Sequence, residues 1–131
     1  MKNLHDFIVK DAYAKYLGIK VVKFSEGTAT AELLIEAHHL NSLGIVHGGV
    51  IFGLADSVFA VAANSREGLA MAINVHMSYF KATEQGTLTA TATEVSVNKK
   101  LATYLVDIRD DVYSKIALFQ GTVYRKCATE K

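Results

Sequence analysis

The chain has 131 residues, long enough for one domain with a real core. Half of them are hydrophobic, and 14 Lys plus Arg stand against 13 Asp plus Glu, a formal net charge of +1. That balance excludes a disordered tail and supplies no global field for nucleic acid. The lone cysteine, Cys127, allows neither an intrachain disulfide nor a four-thiolate metal site. No secretory apolar core or membrane-spanning run occurs, so a cytoplasmic protein with no membrane role is expected.

In chain order, Leu4, Phe7, Ile8, Ala12, Tyr16 and Leu17 recur at helical spacing, and Gly18 can end that helix. IKVVKF and TATAELLIE read as two strands joined through SEG into a hairpin. AHHLNSLGIV fits no clean period and is expected to be a loop of functional length. From Gly49 to Ser65 the pattern is a helix apolar on nearly every face, hence buried all round. Four strand-like runs follow: LAMAINVHMSYFK, TLTATATEVSV, ATYLVDIRD and KIALFQGTVYRK. Their short connectors point to antiparallel meanders. The economical arrangement is α+β, a curved antiparallel sheet wrapped around one long central helix, with residues 1–131 forming a single domain.

Asp56 is the anomaly of that helix. An interior Asp is a poor helix former, and burying its ionised form without partners costs several kcal/mol or raises its pKa. It is either a structural carboxylate, bonded to a loop or facing water at a frayed edge, or a general base or nucleophile in a dry site. The His47-Gly48-Gly49 run ahead of it favours chemistry. Two glycines at a helix start leave backbone N–H groups at the positive end of the dipole, suited to an anion or to the oxyanion of an attacked carbonyl. The phosphate-binding GxxxxGK[ST] pattern is absent. Gly49 and Asp56 are seven residues apart, on nearly one helix face and roughly 10 Å apart along the axis. One carbonyl would struggle to touch both. Two antiparallel helices across a dimer interface would instead bring Asp56 of one chain to the glycines of the other.

The pattern N-x-x-G-x-x-H-G-G-x-x-x-x-L-A-D, Asn41 to Asp56, resembles the hotdog-fold acyl-CoA thioesterases, and most closely their phenylacetic-acid-degradation branch. SVFAVAANS and ALFQGTVYRK resemble the same branch, and the element order matches the hotdog over nearly the whole chain. The resemblance implies hydrolysis of a small aryl-acetyl-CoA (phenylacetyl or hydroxyphenylacetyl) or a medium-chain acyl-CoA, with no cofactor or metal. It implies that Asp56 is the catalytic carboxylate and that the Gly48 N–H, with Gly49 beside it, polarises the thioester carbonyl. Asn41 would orient water or thioester, and Asn74 stands where relatives often carry Ser or Thr. His47 is given a positioning role. Lys81 matches a basic position that would meet the phosphates of coenzyme A, with Lys99, Lys100 and Arg125 as further candidates. The family also implies a homo-oligomer, dimers pairing into tetramers, with sites at the dimer interface.

Other readings make different demands. His38, His39 and His76 match no zinc spacing. Hotdog dehydratases build their site around a His with a proline nearby, and this chain has no proline. A non-catalytic acyl-CoA-binding hotdog protein or scaffold remains the alternative, although a buried acid facing a bound thioester would serve it little.

Overall fold

A computed structural model describes residues 3–126. Cys127 lies outside them. Two short helices come first, α1 (Leu4–Val9) and α2 (Ala12–Leu17), where periodicity alone predicts one. The break has a local cause: the Asp11 side chain accepts a hydrogen bond from the Ala14 N–H at 3.0 Å, starting a new helix. Gly18, at φ 87°, closes α2 in the left-handed conformation that costs glycine least.

The hairpin β1 (Lys20–Ser25) and β2 (Thr28–Leu34) follows, then a loop with a 3₁₀ turn at Ala37–His39, then α3 (Gly48–Ala63). The rest is β3 (Leu69–Tyr79), β4 (Thr87–Val97), β5 (Leu101–Arg109) and β6 (Lys115–Lys126). All six strands form one antiparallel sheet in the order β1-β2-β4-β5-β6-β3. The meander therefore holds only for β4, β5 and β6. β3 pairs with β6 rather than β4, because α3 crosses the concave face and delivers the chain to the far edge of the sheet. The connector from Phe80 to Gly86 then returns it to β2's side.

Period-two patterning decides which strand face meets α3. In β4, Leu88, Ala90 and Ala92 are buried, and in β5, Ala102, Tyr104, Val106 and Ile108. Alanines at positions 29, 31, 90 and 92 let the helix lie close to the sheet. Its bulk sits further along, where the Phe59 ring stands 5.2 Å from that of Phe119 and 5.9 Å from that of Tyr104. The helix is less completely buried than its composition predicts. Phe52, Asp56 and Ala60, spaced four apart, form a half-exposed stripe that the sheet covers only in part, the Phe52 ring lying 5.7 Å from that of Phe119.

Candidate active site

His47 is the N-cap of α3, and its Nδ1 accepts the Gly49 N–H at 2.8 Å. This bond corrects the expectation that both glycines offer free donors. The Val50 and Ile51 N–H groups bond to the His47 carbonyl. The Gly48 N–H has no acceptor among the described residues. It is therefore the free donor at the positive end of a 16-residue helix. The His47 ring thus bonds to the helix backbone, through Nδ1.

The preceding loop brings Asn41 to the same place. Asn41 Oδ1 accepts from the Leu43 N–H at 2.9 Å and the Ile45 N–H at 3.3 Å. Its carbonyl is thus spent on the loop, and its Nδ2 is left to donate. Asn41, Gly48, Tyr79, Phe80 and Lys81 line one cavity of about 340 Å³. Within it the Tyr79 hydroxyl donates to the Gly48 carbonyl at 3.0 Å, so the Gly48–Gly49 peptide, next to the one that presents the free N–H, is held at its carbonyl by Tyr79 and at its N–H by His47. Tyr79 is a contributor that the sequence analysis does not single out. Its hydroxyl contact depends on the end of β3 lying beside the start of α3, which no local pattern reveals.

Asp56 lies eight residues beyond Gly48, about 12 Å along the axis, and does not line that cavity. Its carboxylate has no hydrogen-bond or ion-pair partner among the described residues, which removes the reading of a structural Asp bonded to a loop. Burial pushes its pKa above the ordinary carboxylate range, and repulsion from Asp11 pushes it further. Asp11 is a contributor that sequence reading misses, and its only signal there is its helix-capping residue type.

The remaining candidates divide. α3 and β3 run antiparallel, tied at one end by Tyr79 to Gly48 and at the other by Asn64, whose Oδ1 accepts the Ala70 N–H at 3.0 Å. Asn74, about 17 Å along β3 from Tyr79, therefore lies near the level of Asp56. It follows a bulge in the exposed edge strand. Lys81 joins the Gly48 cavity and pairs with Asp110 at 3.4 Å. Lys99, Lys100 and Arg125 cluster elsewhere. Arg125 donates to the Asn98 carbonyl, and Lys100 stands 5.8 Å from the Tyr124 ring centre. That cluster is at the opposite end of β5 from Lys81, roughly 30 Å away, so one subunit does not bring all four cations to one ligand. His39 is buried with both ring nitrogens engaged, Nδ1 by the Glu36 N–H and Nε2 by the Leu17 carbonyl, and is not available to a metal.

A curved six-stranded sheet around one helix, with a free N–H at the helix start and an unpartnered carboxylate midway, defines a hotdog thioester hydrolase. Residues 43–115 match the thioesterase superfamily model. The chain belongs to that superfamily, in its PaaI-type branch. A relative from Archaeoglobus fulgidus is 40% identical over 127 residues, covering 95% of this chain and 82% of its own. The acyl-coenzyme A thioesterase PaaI of Escherichia coli is 35% identical, with 95% of this chain and 89% of that protein covered. The solved structure of Escherichia coli PaaI, from the phenylacetic acid degradation operon, superposes with a TM-score of 0.92 at 34% identity, covering 98% of this chain and 94% of that one. A mutant of the phenylacetic acid degradation protein PaaI from Thermus thermophilus gives 0.85 at 38% identity, over 88% and 100% of the two chains. None of the helices among the described residues is long and apolar enough to cross a membrane.

Proposed function

We propose that the chain, acting as one domain over residues 1–131, is a cytoplasmic acyl-CoA thioesterase for small aryl-acetyl-CoA or medium-chain acyl-CoA esters. The observation that carries the chemistry is Asp56, a half-buried carboxylate without a partner on the helix whose Gly48 N–H is free. The thioester carbonyl oxygen accepts from the Gly48 N–H, with the Asn41 amide alongside. Asp56 takes a proton from water as the water oxygen bonds to the carbonyl carbon. The carbon–sulfur bond then breaks, releasing the acid and the coenzyme A thiolate, a fair leaving group that needs no strong acid. Direct attack by Asp56, through a mixed anhydride that water later opens, uses the same residues.

The separation of about 12 Å favours composite sites, in which Asp56 of one chain serves the Gly48 and Asn41 of another. The edge strand β3 supports such pairing, since it exposes Met71, Ile73 and Val75 beside unpaired backbone groups. Asn74, at the level of Asp56, would help to hold the water. Lys81 would meet the phosphates of coenzyme A. In an antiparallel pair the Lys99, Lys100 and Arg125 cluster of one chain would approach the Gly48 end of the other. Two such dimers would pair into a tetramer, and the operon of the Escherichia coli PaaI relative supports phenylacetic acid degradation as the context.

Free-thiol release from acetyl-, hexanoyl-, phenylacetyl- and hydroxyphenylacetyl-CoA tests the proposal, with Asp56→Asn alongside. Turnover in the parent and a loss of at least about a hundredfold in the variant is expected, the scale of removing one group that acts in the transition state. Near-full turnover in the variant would show that Asp56 is not the catalytic carboxylate.

A further inference from the structure

Two contiguous cavities form one trough that leads away from Gly48. The cavity of Asn41, Gly48 and Tyr79 shares Ile45, Lys81 and Ala82 with a neighbour of about 320 Å³, which Glu84 and Asp110 also line. Lys81 stands where the two meet, and the chain holds it there at both ends. Its backbone N–H bonds to the Ile116 carbonyl at 3.3 Å, and its ammonium pairs with Asp110 Oδ2 at 3.4 Å. The two partners are not alike. The Lys81 side chain is 51% exposed, that of Asp110 only 14%. Asp110 Oδ1 accepts from the Ser114 N–H at 2.8 Å and the Val112 N–H at 3.1 Å, which fastens the carboxylate into the turn between β5 and β6. The Ser114 bond above all keeps this carboxyl below the ordinary carboxylate range, so it is charged at neutral pH. If Lys81 leaves the pair, Asp110 still holds two donors, and the separation costs little.

We infer that Asp110 is the counter-ion of Lys81 in the free enzyme, that a phosphate of coenzyme A displaces it, and that Asp110 thereby sets how loosely coenzyme A is held. The inference rests on the reading above, in which Lys81 meets those phosphates, and adds the residue that regulates the contact. The motion falls to Lys81. Its ammonium on a flexible four-carbon stem can turn from Oδ2 to a phosphate oxygen in the trough, whereas Asp110 is anchored by the backbone. Asp110 then stands beside the bound phosphate as a like charge, which weakens the complex. That weakening suits a hydrolase, because the coenzyme A it releases carries the same phosphates as the substrate. A contact equally strong in substrate and product would slow release without speeding the chemical step. Asp110 is a positioning residue: it acts through Lys81 and lies away from the reacting atoms at Gly48 and Asp56.

Calorimetric Kd values for coenzyme A test this in the parent, Asp110→Asn, Lys81→Gln and the double variant, and they do not depend on turnover. Asn keeps an oxygen for the Ser114 and Val112 N–H groups, so the turn is expected to survive. A melt checks it, and Asp110→Ser, which also suits the first position of such a turn, replaces it if the fold is disturbed. In Asp110→Asn the Kd falls about threefold, the scale of one exposed ion pair. The KM for an acyl group on coenzyme A falls by a similar factor relative to the same group on N-acetylcysteamine, which carries no phosphate. A merely structural Asp110 would not tighten binding. Lys81→Gln raises the Kd, and in the double variant the gain from Asp110→Asn disappears. A Kd unchanged or raised in Asp110→Asn, with Lys81→Gln weakened, would overturn the inference and leave Lys81 at the phosphates. An equal gain with and without Lys81 would also overturn it, since Asp110 would then act on the phosphates directly. An unchanged Kd in Lys81→Gln would remove Lys81 from the phosphates, and the inference with it. Thiol release by the parent judges the thioesterase reading separately.

Discussion

Replacing His47 separates two roles that its place in the sequence cannot. His47→Ala removes the acceptor that holds the Gly49 N–H at 2.8 Å. Losing an N-cap acceptor costs about 1 kcal/mol, which for a chain of this size lowers Tm by about 4 °C. The same energy, lost wholly from the alignment of the Gly48 N–H, lowers kcat about fivefold. His47→Asn supplies another side-chain oxygen at the cap and is expected to recover both quantities. Circular-dichroism melts at one fixed protein concentration, since assembly shifts Tm, and thiol-release kcat on the best ester measure the two effects. If His47→Asn melts like the parent but loses kcat a hundredfold or more, the imidazole moves a proton and its positional assignment is wrong. If His47→Ala changes neither quantity, the cap bond contributes nothing.

The remaining predictions follow from the carboxylates and the core. Asp56 must be ionised to act, and its raised pKa means that activity is lost as pH falls through a value above the ordinary carboxylate range. Asp11→Asn keeps a capping side chain but removes the repulsion, so the acid limb of the kcat/KM profile should move to lower pH. An unmoved limb would show that Asp11 does not act on Asp56. Because the folded chain holds the Asp56 proton more tightly than the unfolded chain, ionised Asp56 costs stability above its folded pKa, and the cost disappears as pH falls through it. Asp56→Asn should therefore melt higher than the parent at neutral pH, with the gap closing in acid, and a lower melt would contradict the unpartnered carboxylate. At Gly121 an added Cβ would stand 2.6 Å from Phe59 Cζ and 2.9 Å from Phe119 Cε1. Gly121→Ala should then cost about 1–3 kcal/mol by overpacking, read as a lower denaturation midpoint, and an unchanged midpoint would mean that the aromatic cluster moves aside freely.

Some of this protein is legible in the chain itself, because the physics involved is local. Alternation of apolar and polar residues specifies β4, β5 and β6 and the face each turns to the helix, since side chains of a strand point alternately to its two faces. The glycines and the lone acid of NSLGIVHGGVIFGLAD identify the donor and the carboxylate, since a free N–H at a helix start and an unpaired charge in an apolar helix depend on nearby residues. Gly49 misleads, because its N–H is taken by a side-chain geometry, that of His47 Nδ1, which composition does not specify. Other features come only from the tertiary structure. The pairing of β3 with β6 depends on where α3 sets the chain down, the Tyr79 contact with Gly48 follows from that pairing, and Asp11 reaches Asp56 because α2 docks on α3. Each joins residues distant along the chain, whose meeting is settled by how the sheet curves around the helix rather than by any period in the sequence.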